Sequence, residues 1–556
     1  MFTALSFLLS GIFSLAGYRM VSPIKYLCFN QKMIRFIPLI FVLLSLLLVV
    51  FFGSLLGAGL LLPLALVGIW DVVQRKHSLY RNYPLIGHLR DFGEQIRPQI
   101  HQYFIESDTE GKPFDREQRS LVYRRAKNTM DTLPFGTERD VTTVGYESLN
   151  HSIKPASIPE HKRRVTIGNH QCTQPYSSSL LNISAMSFGS LSSAAIRALN
   201  KGAQIGGFAH DTGEGGLSPY HLEYGGDIIW EIGTGYFGCR TDSGDFDPEQ
   251  FAEKAGISQV KMIEIKLSQG AKPGHGGILP AAKISAEIAS ARGVPVSKDC
   301  ISPAQHKAFD SPMGLLHFLQ RLRELSQGKP VGFKLCIGHR HEFLAICKAM
   351  LDLKIYPDFI VIDGKEGGTG AAPAEFVDHV GTPLRGGLSF AHNALVGTGL
   401  RQHIQLGASG KVVSGFDMAM CLALGANWCN AARGFMLALG CLQSQKCHTN
   451  RCPVGIATQD KRRQRGLVVE DKYQRVVNFQ NHTVQSLFDL ATAAGVASPQ
   501  ELWLHHFQRR NPNGDVVPLE TFLALCDSEL ITKKALGKLW STPWERARSH
   551  TFLPVL

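Results

Sequence analysis

Short apolar segments alternate with amphipathic helical segments through the middle of the chain, and this alternation limits the possible folds more than any other feature. The apolar runs lie at residues 181–186, 260–265, 331–337, 359–362, 404–406 and 428–432. Helical periodicity occurs between them, at residues 191–201, 281–291, 315–325, 342–353 and 417–424. Strands that alternate with helices predict a parallel sheet.

Residues 166–460, which contain this alternation, are long enough for an eight-stranded (β/α)8 barrel of the TIM type. Barrel sites lie at the C-terminal ends of the strands, and glycine-rich loops follow several of the apolar runs. A doubly wound parallel sheet fits the same alternation. The pattern therefore predicts an α/β fold and leaves the choice between these two architectures open.

Three cysteines, Cys441, Cys447 and Cys452, lie close together within residues 440–459. Thiolates are the ligands that iron and zinc prefer, and short spacings let one loop surround a cluster. Three ligands suit a [3Fe–4S] cluster, or a four-iron cluster with one foreign ligand. A structural zinc site completed by His448 and ordinary reduced thiols are the alternatives.

Residues 447–459, CHTNRCPVGIATQ, resemble the cluster loop of the FMN-binding synthase part of the glutamate synthases. The similarity continues in the same order through residues 184–189 (SAMSFG), 212–216 (TGEGG), 266–277 (KLSQGAKPGHGG), 364–373 (GKEGGTGAAP) and 432–434 (ARG). The resemblance implies the (β/α)8 barrel, bound FMN, and a [3Fe–4S] cluster on the three cysteines. It also implies an oxidoreductase that acts on CH–NH2 donors.

Residues 36–70 contain no Asp, Glu, Lys, Arg or His. A single helix of this length would extend roughly 52 Å, whereas the hydrocarbon core of a bilayer is about 30 Å thick. We therefore predict two short spans that form a hairpin, with the turn at Gly53, Gly57 and Gly59. Apolar residues 2–17 form a third span, a signal peptide, or a leader upstream of a start at Met20 or Met33, and the sequence leaves these alternatives open.

Basic residues flank the predicted hairpin on both sides, with Lys32 and Arg35 before it and Arg75, Lys76 and Arg81 after it. The positive-inside rule then places both ends in the cytoplasm. We expect a protein of the inner membrane with a cytoplasmic catalytic domain. The net charge of +12 fits an anionic membrane surface, since no recognisable nucleic-acid module accompanies it.

The expected organisation has five parts. They are an uncertain leader or extra span (1–35), a transmembrane hairpin (36–73), a helical cap or linker (74–165), the barrel with its cluster loop at 440–459 (166–460), and a helical appendage (461–556). The remaining cysteines, nine of the 12, lie mostly among apolar neighbours and indicate a reducing compartment.

The segment after the first predicted barrel strand offers a site for a flavin edge. Small residues in the segment 184–189, which includes Ala185, Met186 and Ser187, let a flat ring approach backbone N–H groups. A helix N-cap at Ser190 or Ser192 is the alternative interpretation of this segment. Lys334 lies within an apolar strand. It either lies under the flavin N1–C2 edge, where it stabilises the anionic reduced form, or belongs to a structural salt bridge.

Barrels often hold a phosphate on the loops after strands seven and eight. The last two such loops here supply small residues and one cation, namely Ser409, Gly410, Ala432, Arg433 and Gly434. A further glycine-rich rim includes Gly368. We expect these residues to hold the FMN phosphate.

The loop after strand 260–265 carries three potential cations, Lys266, Lys272 and His275, together with Gln269. Such a loop suits a dicarboxylate, and a solvated basic loop is the alternative. The resemblance implies that Lys272 contacts 2-oxoglutarate, and we expect Glu214 to move a proton.

The chain departs from the family pattern at three positions. His275 stands where Glu is usual, Ile278 where Gln is usual, and Tyr236 where Arg is usual. These departures predict weakened 2-oxoglutarate binding or a different imino acid substrate.

The first functional hypothesis is reduction of an imino acid formed from a 2-oxo acid and ammonia. No dinucleotide fingerprint follows a strand, so we expect ferredoxin or a separate reductase subunit to supply electrons. We also expect ammonia to be free or to come from a separate glutaminase, because no glutaminase domain precedes the membrane segment. The alternatives are a membrane-bound electron-relay or scaffold subunit with a degenerate substrate site, and an FMN-dependent 2-hydroxy acid oxidoreductase.

Overall fold

The computed structural model describes residues 34–296, 298–522 and 538–555, so the predictions for residues 1–33 lie outside the described residues. The chain divides into two units, Met1–Glu106 and Ser107–Leu556. The division falls inside the predicted cap segment, residues 74–165, so that segment contributes to both units.

Two apolar helices begin the described part of the first unit. Helix α1 (Ile37–Phe51) packs against α2 (Leu55–Val73), and Gly53 in the turn between them has a φ of +71°. Ser54 caps α2 by accepting a hydrogen bond from the Gly57 amide. Helices α3 (Ser78–Asn82) and α4 (Gly87–Ile100) follow, and α4 ends in a π-helical turn at His101–Ile105. The predicted turn between two apolar helices is therefore present.

Eight parallel strands form a closed barrel in the second unit, which confirms the predicted (β/α)8 architecture. The strands are β1 (Leu181–Ile183), β2 (His210–Asp211), β3 (Ile228–Ile232), β4 (Val260–Lys266), β5 (Val331–Leu335), β6 (Phe359–Asp363), β7 (Gln405–Ser409) and β8 (Trp428–Ala431). Neighbours pair in chain order, and β8 closes the barrel on β1 through the Asn430–Asn182 register. Their apolar residues are buried because helices cover the outside of the sheet.

The helices of the second unit include those that cover the barrel and those of its appendages. They are α5 (Arg116–Ala126), α6 (Ser193–Gly206), α7 (Pro219–Leu222), α8 (Pro248–Ala255), α9 (Ala286–Arg292), α10 (Pro312–Leu325), α11 (Arg340–Leu353), α12 (Ala374–His379), α13 (Leu384–Gly397), α14 (Gly415–Ala423), α15 (Arg433–Ala438), α16 (Lys461–Gln464), α17 (Val469–Ala493) and α18 (Lys538–Arg546).

Two strands and two barrel helices were not among the predicted segments. Strand β2 is two polar residues long, and β3 carries the buried Glu231, so neither reads as an apolar run. Helix α13 contains three glycines, and α8 is only eight residues long. The predicted helix at 281–291 is divided, because a 3-10 turn ends at Lys283 and Ser285 then caps α9.

Short antiparallel pairs complete the described strands. Glu147–Leu149 pairs with Phe507–Arg510, which pairs in turn with Val516–Pro518. Arg164–Ile167 pairs with Tyr176–Ser179, and Ile278–Leu279 pairs with Cys300–Ile301 near the barrel mouth. The C-terminal segment predicted to be helical therefore contains two strands as well as α17, which packs against α5 and α6.

Candidate active site

Two adjoining clefts lie at the C-terminal end of the barrel. The larger, about 480 Å³, is lined by residues from the loops after β1, β2, β4 and β6 and by Cys447 and His448 of the cysteine loop. The smaller, about 300 Å³, is lined mainly by the loops after β3 and β4. Glu214 and Gly277 border both clefts, so the clefts form one candidate active site.

Three cations line the larger cleft: Lys272, Lys283 and Arg292, each no more than 4% exposed. Lys272 donates to the Ala371 carbonyl at 3.1 Å. Within the described residues, none of the three lies within 4.0 Å of a carboxylate. The larger cleft therefore holds buried positive charge that an anionic ligand would neutralise.

Lys283 and Arg292 were not among the predicted site residues. Lys283 donates to the carbonyls of Ser190 and Cys447 at 3.0 and 3.2 Å. Burial lowers the pKa of Lys283 to about 8, although the nearby Cys447 and Cys452 act to raise it. Arg292 donates to Ser187 Oγ at 3.2 Å, and its Nε has no partner in the described part of the chain. Helix α9 and the turn before it bring both residues to the loop of Lys272.

Glu214 and Lys266 form an ion pair of 3.1 Å between the two clefts. Burial raises the pKa of Glu214, but Lys266, Arg292 and Lys272 outweigh burial and lower it below its usual range. Burial alone would lower the pKa of Lys266. The charge of Glu214 outweighs burial, so the pKa of Lys266 is raised above its usual value. Both groups are therefore charged, and Glu214 is a buried carboxylate beside the cations.

The other two predicted catalytic residues line the smaller cleft. Gln269 accepts a hydrogen bond from Lys266 Nζ at 2.9 Å. His275 Nδ1 lies 2.8 Å from the Gly276 carbonyl oxygen, and its ring packs against Phe376. The structure thus brings Lys272, Glu214, Gln269 and His275 to one pair of clefts.

Tyr236 does not border the clefts, so the expectation that it replaces a substrate-binding cation is wrong. Its side chain is fully buried, and its hydroxyl accepts a hydrogen bond from the Ala308 amide at 3.0 Å and lies 3.2 Å from His306 Nδ1. Ile278, in contrast, does line the larger cleft and is 42% exposed. Of the three substituted positions, His275 and Ile278 border the clefts and Tyr236 does not.

Lys334 lies inside the barrel among three carboxylates. Its Nζ contacts Glu231, lies 2.8 Å from Glu264 and lies 3.8 Å from Asp211, and all four side chains are at most 3% exposed. Burial alone would lower the pKa of Lys334. The three carboxylates outweigh burial, and the pKa of Lys334 is raised well above its usual value. The salt-bridge interpretation of Lys334 is therefore confirmed, while its contact with a flavin stays a prediction.

With all four side chains ionised, the cluster of Lys334, Asp211, Glu231 and Glu264 would carry a net charge of −2. Burial is the largest cause of the raised pKa values of Asp211 and Glu264, although Lys334 opposes it. Asp211 Oδ2, Glu231 Oε1 and Glu264 Oε1 accept no hydrogen bond from any described residue. Burial and mutual repulsion thus favour the protonated forms of Asp211 and Glu264, while Lys334 favours their ionised forms.

The loop after β1 presents backbone donors to the barrel mouth. The amides of Ala185, Met186 and Ser187 donate to no acceptor among the described residues. Gly213 passes so close to this loop that a Cβ there would lie 2.7 Å from the Ser187 nitrogen. The alternative helix cap is also present, because Ser192 Oγ accepts from the Ala195 amide at 3.2 Å.

The predicted phosphate loops lie beside each other. Ser409 Oγ is 3.3 Å from Ser184 Oγ, and Gly410 adopts a φ of +150°. Arg433 donates to the Glu366 carbonyl, and a Cβ on Gly368 would meet the Arg433 guanidinium. Ala432 and Gly434 flank Arg433 at the start of α15. Burial lowers the pKa of Arg433 to about 10 despite the charges of Asp363 and Glu366.

The cysteine loop carries three free thiols that influence each other's charge. Burial, together with smaller contributions from Cys447 and Cys452, raises the pKa of Cys441 to about 12. Lys283 opposes the raised pKa of Cys447. Cys441, Cys447 and Cys452 thus share one loop, and the buried Lys283 donates to the Cys447 carbonyl.

Helix α5 and the segment before it, which belong to the predicted helical cap, pack against the cysteine loop. The Tyr123 hydroxyl donates to the Cys441 carbonyl at 2.6 Å, and Gln443 bonds to both the amide and the carbonyl of Phe114. The Arg433 guanidinium lies 4.8 Å from the Phe114 ring centroid. Only the capping and periodicity of α5 are visible in the sequence; its contacts are not.

Comparison with known proteins adds a family assignment to this geometry. Residues 126–497 match the family model described as "Conserved region in glutamate synthase". The glutamate synthase large subunit-like protein YerD of Bacillus subtilis is 38% identical over 499 residues, which cover 83% of this chain and 95% of that protein. This chain belongs to the glutamate synthase family.

Two further relatives in the glutamate synthase family are shorter matches. The archaeal glutamate synthase [NADPH] of Methanocaldococcus jannaschii is 36% identical, over 58% of this chain and 60% of that protein. The archaeal-type glutamate synthase [NADPH] of Thermotoga neapolitana is 32% identical, over 57% of this chain and 60% of that protein. The chain thus spans less than two thirds of these two relatives, and it is a glutamate-synthase-like oxidoreductase by family.

The residues present fit the two groups that the glutamate synthase family implies. Free amides at Ala185–Ser187, a close-passing Gly213 and small residues at the phosphate loops fit a flat ring with a phosphate tail. Three free thiols in one loop supply the number and kind of ligands that a [3Fe–4S] cluster needs.

Proposed function

We propose that this protein uses FMN and a [3Fe–4S] cluster to reduce an imino acid formed from a 2-oxo acid and ammonia. The observation that carries the proposal is the composition of the larger cleft. It combines the carboxylate of Glu214, three buried cations and Cys447 of the thiol loop within about 480 Å³. The cysteine loop, a cationic surface and a buried carboxylate therefore border the same cleft, which supports the proposal.

The buried cations favour a dicarboxylate, with 2-oxoglutarate or a close analogue as the substrate. Arg292 offers a planar fork with an unpartnered Nε, and Lys272 offers a second positive charge. Each charge-assisted hydrogen bond contributes roughly 1.5–3 kcal/mol to binding. These cations offset the missing amide at Ile278, and they count against a scaffold with a degenerate substrate site.

We expect Glu214 to move a proton at the reacting carbon or nitrogen. Lys266 holds its carboxylate at 3.1 Å, and Gly233 and Gly277 leave no side chain between Glu214 and the clefts. Bound FMN would supply hydride transfer, and the thiol-bound cluster would supply single electrons. The role of the protein is then to bind the anion, orient it and exclude water.

Reoxidation of the anaerobically reduced holoenzyme tests the reaction. We expect 2-oxoglutarate with ammonia to reoxidise the flavin, and neither compound alone to do so. Arg292→Met should raise the apparent 2-oxoglutarate Kd by roughly tenfold to a hundredfold. Arg197→Met, which removes a half-exposed cation paired with Glu223, is the control. Wild type that never reoxidises under these conditions contradicts the reaction and favours the relay hypothesis.

The cluster has its own test. Iron and labile-sulfide analysis with EPR of the oxidised protein should give three irons and an S = 1/2 signal, and Cys441→Ser should remove both. Cys172→Ser, outside the cysteine loop, should leave them unchanged. A preparation that contains zinc without this signal contradicts the cluster assignment.

The proposed reaction needs two partners, an electron donor and a source of ammonia. Ferredoxin or a separate reductase subunit would deliver electrons, and ammonia would come from solution or from a separate glutaminase. Pull-down with reduced ferredoxin and flavin reduction in its presence test the first partner. Glutamine-dependent turnover only after addition of a glutaminase tests the second.

We also propose that α1 and α2 span the inner membrane with the barrel in the cytoplasm. Of the described helices, α2 alone is long and apolar enough by composition to cross a bilayer, and α1 is a shorter apolar helix. Their apolar side chains are exposed, for example 69% at Leu47, 81% at Phe51 and 90% at Leu55. Deletion of residues 1–71 should release a soluble yellow-brown protein, whereas full-length protein found in the soluble fraction contradicts the anchor.

A further inference from the structure

Helix α4 and its π-helical end carry a continuous apolar stripe. At 100° per residue, Leu89, Phe92, Ile96, Ile100 and Tyr103 fall within one third of the helix circumference. Four of the five are strongly exposed: Leu89 by 66%, Phe92 by 59%, Ile100 by 41% and Tyr103 by 55%. Soluble proteins rarely expose apolar residues in such a row, so a partner covers this stripe.

The opposite side of α4 is polar, and arginines border the stripe. Arg90 and Arg97 lie seven residues apart and therefore share one edge of the stripe, while Asp91 and Glu94 lie on the far side. Arg90 is 65% exposed, and its ion pairs with Asp91 and Glu94 are long, at 3.5 and 4.0 Å. Such arginines can turn toward lipid headgroups while their stems cover apolar surface.

Contacts of Asp71 join the start of α4 to the end of the proposed span α2. Asp71, two residues before the end of α2, accepts a hydrogen bond from the Leu85 amide and lies 3.0 Å from His88 Nε2. Asp71 is 1% exposed. When α2 crosses the bilayer, the contacts of Asp71 with Leu85 and His88 hold the first turn of α4 at the level of the cytoplasmic headgroups.

We propose that α4 and the turn at His101–Ile105 lie in the cytoplasmic membrane interface and bind anionic phospholipid. The inference rests on the proposed membrane anchor and extends it to a second, lipid-recognising element. Residues 74–105 carry five Lys or Arg and two acids, a net charge of +3, which complements an anionic surface. The stripe and the exposed apolar residues of α1 and α2 belong to the same unit, and a single bilayer suffices to cover both.

Photo-crosslinking of the full-length holoenzyme in vesicles of phosphatidylethanolamine and phosphatidylglycerol tests this placement. The photoreactive residue p-benzoylphenylalanine replaces Phe92 on the stripe, Glu94 on the polar side, or Leu47 in α1. We expect lipid adducts from positions 92 and 47 and at least tenfold fewer from position 94. Among the adducts at 92, phosphatidylglycerol should exceed its share of the vesicle, and Arg90→Gln with Arg97→Gln should abolish that excess.

The outcomes separate the two proposals. Lipid adducts at 47 without adducts at 92 overturn the interfacial helix and leave the anchor intact. An absence of lipid adducts at both positions overturns the anchor and the helix together. Protein adducts at 92, whether to a second copy or to the same chain, identify a protein surface as the cover and overturn the lipid assignment.

Discussion

The hydroxyl of Tyr123 donates a 2.6 Å hydrogen bond to the carbonyl oxygen of Cys441, a residue 318 positions later in the chain. Tyr123 belongs to α5, and Cys441 is the first thiol of the cysteine loop. The helix thus restrains the backbone at the start of the proposed cluster site. A segment with no chemistry of its own acquires a supporting role through this contact.

Tyr123→Phe should loosen the cysteine loop without unfolding the protein. One neutral hydrogen bond contributes roughly 0.5–1.5 kcal/mol, so we expect iron release to a chelator to accelerate about twofold to tenfold. Stopped-time iron assays on the holoenzyme measure this rate. Tyr224→Phe, which alters a tyrosine hydroxyl away from the loop, is the matched control; equal rates for both variants and wild type contradict the restraint.

Lys334→Met should destabilise the barrel strongly. Among the described residues, Lys334 is the only cation that contacts Asp211, Glu231 and Glu264, and loss of one partner from a buried ion pair costs roughly 3–5 kcal/mol. Asp211→Asn removes excess negative charge instead, so it should be neutral or stabilising. Denaturant unfolding of both variants provides the comparison, and a Lys334→Met variant as stable as wild type would contradict the cluster electrostatics.

Tyr236→Arg should destabilise the protein rather than improve substrate binding. The Tyr236 side chain is fully buried, and its hydroxyl accepts a hydrogen bond from the Ala308 amide. An arginine at this position would therefore introduce a buried charge without an ion-pair partner. We expect a loss of at least roughly 2 kcal/mol, and a smaller loss for Tyr236→Phe. Thermal unfolding measures both variants, and an Arg variant with wild-type stability and tighter 2-oxoglutarate binding would restore the original expectation.

Acid should destabilise the fold partly through His306. Burial lowers the pKa of this imidazole to about 4, although its hydrogen bond to the Lys266 carbonyl opposes the shift. The unfolded chain binds the same proton near 6.5. Between these values the unfolded state binds more protons, so the free energy of unfolding falls as the pH falls, by up to roughly 3 kcal/mol at about pH 4.

His306→Asn should remove most of that pH dependence. Denaturant unfolding at several pH values from 7 down to the acid limit gives the slope for wild type and variant. His403→Asn, a partly exposed histidine with a smaller lowering of its pKa, controls for general acid effects. Parallel slopes for wild type and His306→Asn would assign the acid sensitivity to other groups.

Local patterns determined much of this protein. The alternation of apolar and helical segments predicted the α/β class, and the resemblance of its glycine-rich blocks selected the barrel that the strands form. The loop of Lys272 and the three cysteines could be located because their chemistry lies in short, contiguous segments. Periodicity and spacing suffice for such features because they depend on neighbours in the chain.

Tertiary packing decided the rest. Lys283 and Arg292 lie outside any recognisable motif, and only the turn and α9 bring them to the cleft of Lys272. Tyr236 looked like a substrate position and proved to be a buried core residue, while Lys334 gained three carboxylates from three other strands. Such contacts join residues far apart in sequence, and their geometry depends on how strands and helices pack, which no local pattern encodes.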